Sequence, residues 1–296
     1  MSAKDLIAKC LGAFWILDGL LQFQPAMFGQ KFVVNILVPN LSAQPHWMYD
    51  VVNFGIYLWN LDPALNNFGV GLLQVGIGLL LLLPLENNWF KFGAWVSIVW
   101  GVVVWFCGEG AGQLFTGIAS FYTGAPGAVL LYVLLAALFL VPHLRTKQFI
   151  RIAAFVFISG SILQFQTAFW TADGVSGTAM AAMMETVHAL NAFPIYIADL
   201  LGSHVAVANW LLTLAPLAIG AWLLLKPNRL AGFVSLTFLF FVWWIGQDFG
   251  MLSTFPTGTA TDPNTAPLLA LFLIPLFVTV RSKTASAYSS NRCNSD

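Results

Sequence analysis

Long, unbroken apolar runs dominate the chain, and apolar–polar alternation is rare. Eight runs approach the roughly 20 residues that a membrane-crossing helix needs, at about 7–25, 66–84, 91–108, 125–142, 151–169, 206–225, 230–247 and 265–280. The lack of alternation excludes barrel strands. Pro25, Pro84, Pro142 and Pro227 fall at or just beyond the ends of runs, where a missing N–H does least damage. After the first run of each half comes a longer stretch, 26–65 and then 171–205, too polar to span and too apolar to be a free loop. Such stretches lie in the interface plane or fold back as caps. Pro194 is expected to kink or break the second.

Charge then orients the runs. Of the 12 Lys and Arg residues, Lys31 alone falls opposite the rest in an eight-span arrangement. The others, Lys4, Lys9, Lys91, Arg145, Lys147, Arg151, Lys226, Arg229, Arg281, Lys283 and Arg292, share one side. Positive charge marks the cytoplasmic side, so both termini are expected inside. The fold class expected is therefore an all-α polytopic protein of the inner (plasma) membrane, with the lipid bilayer as its first partner. Composition agrees: 59% of residues are hydrophobic and 8% charged, with mean hydropathy +0.81. The 12 acids cancel the 12 bases, so the basic footprint of a nucleic-acid binder is missing. The charged start before the apolar run to Leu21 resembles a signal peptide. Gln22, Gln24 and Pro25 stand where a small-residue cleavage site belongs, so this run reads as an uncleaved first span. Cys10, Cys107 and Cys293 form no disulfide framework.

The chain also repeats itself. Leu21-Gln22-Phe23-Gln24 recurs as Leu163-Gln164-Phe165-Gln166, and Asn67 and Gly78 recur as Asn209 and Gly220. Further on, Ser97, Trp105, Gly108 and Gly112 recur as Ser235, Trp243, Gly246 and Gly250. Ordered matches at a nearly constant offset indicate internal duplication. The expected organisation is a four-helix repeat at 1–142 with a cap at 26–65, a cytoplasmic linker at 143–151, a second repeat at 152–281 with a cap at 171–205, and a tail at 282–296. Four spans is an even number, so the repeats insert in parallel about a pseudo-two-fold axis along the membrane normal.

Chemistry is sparse and concentrated toward the outer side. Asp18 is an acid within a span, which is costly and a functional candidate by default. Gln22 lies one turn beyond it on the same face. Repeat two carries Gly160 and Gln164 at these places. Gly108-Glu109-Gly110-Ala111-Gly112 pairs with Gly246-Gln247-Asp248-Phe249-Gly250, bringing Glu109 and Asp248 to the outer boundary. Asp18, Gln22, Glu109, Gln164 and Asp248 are the expected lining of an outward pocket or pathway. Met180, Met184 and His188 follow an i, i+4, i+8 spacing, a face that suits copper(I) with its soft-ligand preference and equally suits plain packing. No intramembrane histidine pair offers axial haem ligation. Nucleotide, zinc-protease and serine-hydrolase motifs are missing too, whereas a quinone can bind between helices without any motif.

Leu17 to Pro25, Gly108 to Gly112 and Thr123-Gly124-Ala125-Pro126-Gly127-Ala128 resemble segments of bacterial integral membrane proteins of uncharacterised activity. The four-helix unit is similar in outline to the DoxX/DoxD-like membrane families. That resemblance implies an accessory or subunit of a membrane redox system, quinone-linked in some members, with a membrane redox enzyme as partner. It transfers no catalytic residue. The competing expectations are a transporter or channel for a small solute, proton or metal cation, and a copper-handling or assembly factor.

Overall fold

The structure is a computed structural model and describes residues 1–179 and 188–278. Among the described residues it is all-helical. The first half contains α1 (Ala3–Leu21), α2 (His46–Leu61), α3 (Pro63–Leu81), α4 (Asn88–Cys107) and α5 (Ala128–Leu140). The second contains α6 (Lys147–Leu163), α7 (His188–Ser203), α8 (Val205–Leu225), α9 (Arg229–Phe241) and α10 (Thr265–Leu271).

Local sequence explains the boundaries. Ser2 and Asp5 form a capping box that starts α1. The Asp62 carboxylate accepts from Leu65 N at 3.0 Å, with Pro63 in the first turn of α3. Asn87 and Asn228 cap α4 and α9 in the same way, from Trp89 N and Ala231 N, each at 2.8 Å. At the opposite end of α3, Lys9 Nζ donates to Leu82 O at 3.2 Å, and Lys4 Nζ donates to Leu144 O beyond α5. The Lys9 ammonium thus sits at a helix C-terminus, where the backbone carries partial negative charge.

Four helices are long and apolar enough to cross a membrane: Pro63–Leu81, Asn88–Cys107, Val205–Leu225 and Arg229–Gly246. Their most apolar windows are only 28–39% buried, leaving broad apolar faces outward, as a lipid-facing surface requires. The remaining expected spans form shorter or charge-bearing helices. The run expected at 125–142 becomes helical only at Ala128, because Gly124 and Gly127 turn the chain with positive φ. The run expected from 265 gives α10 and then a 3-10 turn, Ile274–Leu276. Pro194 does not break its helix: it lies inside α7. The carbonyl four residues back, which Pro194 cannot satisfy, accepts instead from Trp244 Nε1 at 3.2 Å.

Close backbone approach sets the packing. An added Cβ on Gly78 would meet Gly12 O at 2.5 Å, and one on Gly19 would meet Gly71 O at 2.7 Å. Thus α1 and α3 cross on paired glycines. In the second half a Cβ on Gly220 would meet Ala154 O at 2.8 Å, bringing α8 equally near α6. Where α1, α5, α6 and α10 meet, the core is aromatic: Trp15, Tyr132, Phe149, Phe157 and Phe272 are fully buried. The Trp15 and Tyr132 rings pack tilted at 49°, with centroids 4.5 Å apart.

Candidate functional site: a polar cavity between the halves

The same polar bonds recur in both halves. Asn67 Nδ2 donates to Gln22 O at 2.6 Å, and Asn209 Nδ2 to Gln164 O at 3.1 Å, fastening each first helix to its neighbour. Trp105 Nε1 donates to Pro126 O at 2.8 Å, and Trp243 Nε1 to Pro263 O at 2.7 Å. Two further bonds cross between halves. Gln24 Nε2 reaches Ala260 O and Gln166 Nε2 reaches Ala119 O, both at 2.8 Å.

Beyond α4 the chain makes a left-handed turn: Gly110, Ala111, Gly112 and Gln113 all have φ between 52° and 61°. Beyond α9, Asp248, Phe249, Gly250 and Met251 do the same, with φ from 46° to 66°. Non-glycine residues pay roughly 1–2 kcal/mol each in this region, so tertiary contacts must hold both turns. At the first, Asn40 Nδ2 donates to Gly108 O at 2.7 Å, Gln44 Nε2 to Gly110 O at 3.0 Å, and Gln113 Nε2 to Asn40 Oδ1 at 2.8 Å. Gly112 leaves no room for a side chain against the Pro126 carbonyl, nor Gly250 against the Asp262 carbonyl.

These turns aim Glu109 and Gln247 at helix N-termini. Glu109 Oε1 accepts from Val129 N at 3.2 Å at the start of α5, and Gln247 Oε1 accepts from Ala266 N at 3.0 Å at the start of α10. The Glu109 carboxyl fits because Gly127 has no Cβ to occupy its place.

Between the halves, at the end opposite the linker that carries Arg145 and Lys147, lies a cavity of about 640 Å³. Glu109, Asp173 and Asp262 contribute carboxyls to its wall, Asn40, Ser120 and Asn264 contribute neutral polar groups, and among the described residues no Lys, Arg or His lines it. Asp262 Oδ1 accepts from Asn264 N at 2.6 Å and its Oδ2 from Thr261 Oγ1 at 2.9 Å. Burial raises Asp262 above the usual carboxylate range, and these two bonds oppose the shift. Glu109, just past the end of α4, is raised to about 8 by burial and then by the Asp262 charge, against the pull of the Val129 and Ala128 N–H groups.

Of the residues expected to line a pocket, Glu109 is in the wall. Asp18 is buried near it, within electrostatic reach of Asp262 and Glu109, and the Tyr132 hydroxyl is beside Asp18 and within reach of the other two acids. Gln22 and Gln164 are buried between helices, and Gln164 Nε2 donates to Ser120 Oγ at 2.9 Å. Asp248 is buried in the second left-handed turn and is not part of the cavity wall. Met180 and Met184 lie outside the described residues, as does the His188 side chain. Among the described residues no group of three His, Cys, Asp or Glu is placed to hold a metal ion. Asp262, Asp173 and Asn40 escaped the sequence reading. Asp262 follows the matched glycine motifs by more than ten residues, in a stretch where the two halves do not align. No protein-family description, no curated protein and no solved structure matches the chain.

Proposed function

We propose that the chain is an eight-span protein of the inner membrane, built from two parallel four-helix repeats with cytoplasmic termini, whose cavity opens outward and binds a small polar ligand. The recurring bonds of Asn67 and Asn209, Trp105 and Trp243, Gln24 and Gln166 support the repeat. The crossed glutamine pair supports a two-fold relation, because each half gives the other what it receives. The observation that carries the ligand reading is the cavity itself: a volume of about 640 Å³ whose wall, among the described residues, has three carboxyls and no base, within the range of ordinary ligand pockets.

The role that follows is an accessory or subunit of a membrane redox system, the partner supplying the catalytic groups and, by the DoxX/DoxD-like resemblance, a quinone. Transport is the second reading. It is favoured by Asp18 and Tyr132, which continue the polar groups inward from the cavity. The aromatic layer of Trp15, Phe149, Phe157 and Phe272 lies across that route.

The test is accessibility. In a chain with Cys10, Cys107 and Cys293 replaced by Ser, Thr123→Cys places a thiol in the cavity wall. A membrane-impermeant maleimide should label it on intact cells. Labelling only after permeabilisation would overturn the outward-facing pocket. A redox enzyme co-purifying stoichiometrically from the native membrane supports the accessory role. A chain that purifies alone and catalyses Asp18-dependent uptake into liposomes supports transport.

A further inference from the structure

At the end opposite the cavity the two halves finish differently. In the first half Lys9 is engaged: its Nζ donates to Leu82 O at 3.2 Å, and it lies within electrostatic reach of Asp5. Lys91, in the first turn of α4, shares this end with Glu86. The matched bases in the second half are Arg151 and Arg229, at the offsets that relate Gly78 to Gly220 and Ser97 to Ser235. Lys147 and Lys226 join them, and the chain carries no acid from His143 to Arg151 or from Leu223 to Gly232. Asp5, on α1, is taken up by its capping bonds to Ser2. The second half therefore gathers bases without counter-charges.

Packing brings these bases to one level. α6 and α8 run antiparallel, with Asn209 bonded to Gln164 O toward one end and Gly220 against Ala154 O further along. Lys147 precedes Ala154 by seven residues and Lys226 follows Gly220 by six, so at about 1.5 Å per residue the two reach the same height. Lys147 and Arg151 lie one turn apart on α6. Lys226 closes α8, and Arg229 opens α9 directly after the short turn. All four are exposed. Among the described residues the side chains of Lys147, Arg151 and Lys226 donate to no acceptor. The first turn of α6 has no side-chain cap, whereas Ser2 and Asp5 cap that of α1. The N-termini of α6 and α9 thus add their positive ends to the four cations. Beside them Leu225, Leu230 and Phe233 are 82%, 61% and 59% exposed, a bare apolar wall.

A basic rim above an apolar wall complements one kind of molecule, an anionic phospholipid, whose phosphate meets the bases while its acyl chains follow the wall. We infer that the second half binds one anionic phospholipid at this end, its phosphodiester held by Lys147, Arg151, Lys226 and Arg229. The first half has no equivalent site, because its bases are fewer, Lys9 is already bonded, and Asp5 and Glu86 stand among them. The inference needs the chain to lie in a membrane. It is independent of the cavity and of what the cavity binds.

The test is native mass spectrometry and thermal unfolding of the purified full-length chain in detergent, with dioleoyl phosphatidylglycerol added. Dioleoyl phosphatidylcholine and inorganic phosphate serve as comparators. A single phosphatidylglycerol should stay bound to each chain and raise its Tm, while the zwitterionic lipid and free phosphate should do neither. Lys226→Gln, at an exposed helix end, should weaken binding roughly five-fold, and the triple variant Lys147→Gln, Arg151→Gln, Lys226→Gln roughly 100-fold. The double variant Lys9→Gln, Lys91→Gln should leave binding nearly unchanged. Equal retention of phosphatidylcholine would reduce the surface to an unselective lipid contact and overturn the inference. Equal stabilisation by inorganic phosphate would overturn it in favour of a soluble anion. Binding indifferent to the triple variant, or weakened as much by the Lys9 and Lys91 pair, would overturn it as well.

Discussion

Gln24 and Gln166 each reach into the opposite half and bond a loop carbonyl, of Ala260 and Ala119 respectively. Two residues past each of these carbonyls the chemistry diverges. On one side stands Asp262, within reach of Asp18; on the other stands Phe121, packed on Gly160. The bonds that hold both places together run from side chains to the backbone and leave the neighbouring side chains free to differ. One place is therefore charged and hollow, and the other apolar and filled. The serine on α4 and α9 varies in the same way. Ser97 Oγ accepts from the Trp15 indole at 2.9 Å. At the matched place Phe157 has nothing to donate, and Ser235 turns back to Ala231 O at 2.7 Å.

The contrast breaks most severely if charge is moved to the filled side. Gly160→Asp would force a carboxyl against the Phe121 ring with no cavity beside it. A loss of about 3 kcal/mol or more is expected from overpacking and unpaired burial together, read as a lower unfolding temperature in detergent. A variant as stable as the wild type would show that the two sides are not different in kind. Gly78→Ala comes next, expected to cost about 1–3 kcal/mol, and more than Gly220→Ala, because its Cβ would come nearer the facing carbonyl. Gly69→Ala, with open space around it, is the control and should be close to neutral.

Asn67→Ala and Asn209→Ala should each cost roughly 1–3 kcal/mol and by similar amounts, since they remove corresponding bonds. Unequal losses would mean that the halves do not share a scaffold. The smallest effect at neutral pH is expected from Glu109→Gln, which gives the first half the neutral cap of the second. Its signature is in the pH profile. Glu109 is raised in the folded chain from 4.5 to about 8, so the folded state holds a proton that the unfolded state releases. This contribution is full below about pH 4.5 and is lost as pH rises through 8. The wild type should therefore lose stability from about pH 4.5 to about pH 8 and then level off, with Asp262, Asp18 and Tyr132 near the same carboxyl, and the variant should lose less. Parallel Tm curves for the two proteins over that range would exclude this role for Glu109.

The helical membrane class was legible because apolar runs and charge asymmetry act along the chain, where sequence displays them directly. Asp18 and Glu109 were legible for a related reason: an acid beside a long apolar run stands out. The cavity was hidden, because Asp262 and Asp173 join Glu109 through loops whose course depends on left-handed turns at Gly110–Gln113 and Asp248–Met251. Ala111, Phe249 and Met251 have no ordinary preference for that conformation, so nothing local announces it. Pro194 misleads in the opposite direction: the partner that makes it tolerable, Trp244, lies 50 residues away and on another helix.

The central claim is that the chain is hollow and open to the outer side at Asp262 and filled at Gly160. With the native cysteines replaced by Ser, impermeant-maleimide labelling of intact cells compares Thr123→Cys, in the cavity wall, with Ser161→Cys, buried beside Gly160. Labelling of Thr123→Cys but not of Ser161→Cys is the result expected. Equal labelling of the two, or labelling of neither, would contradict it.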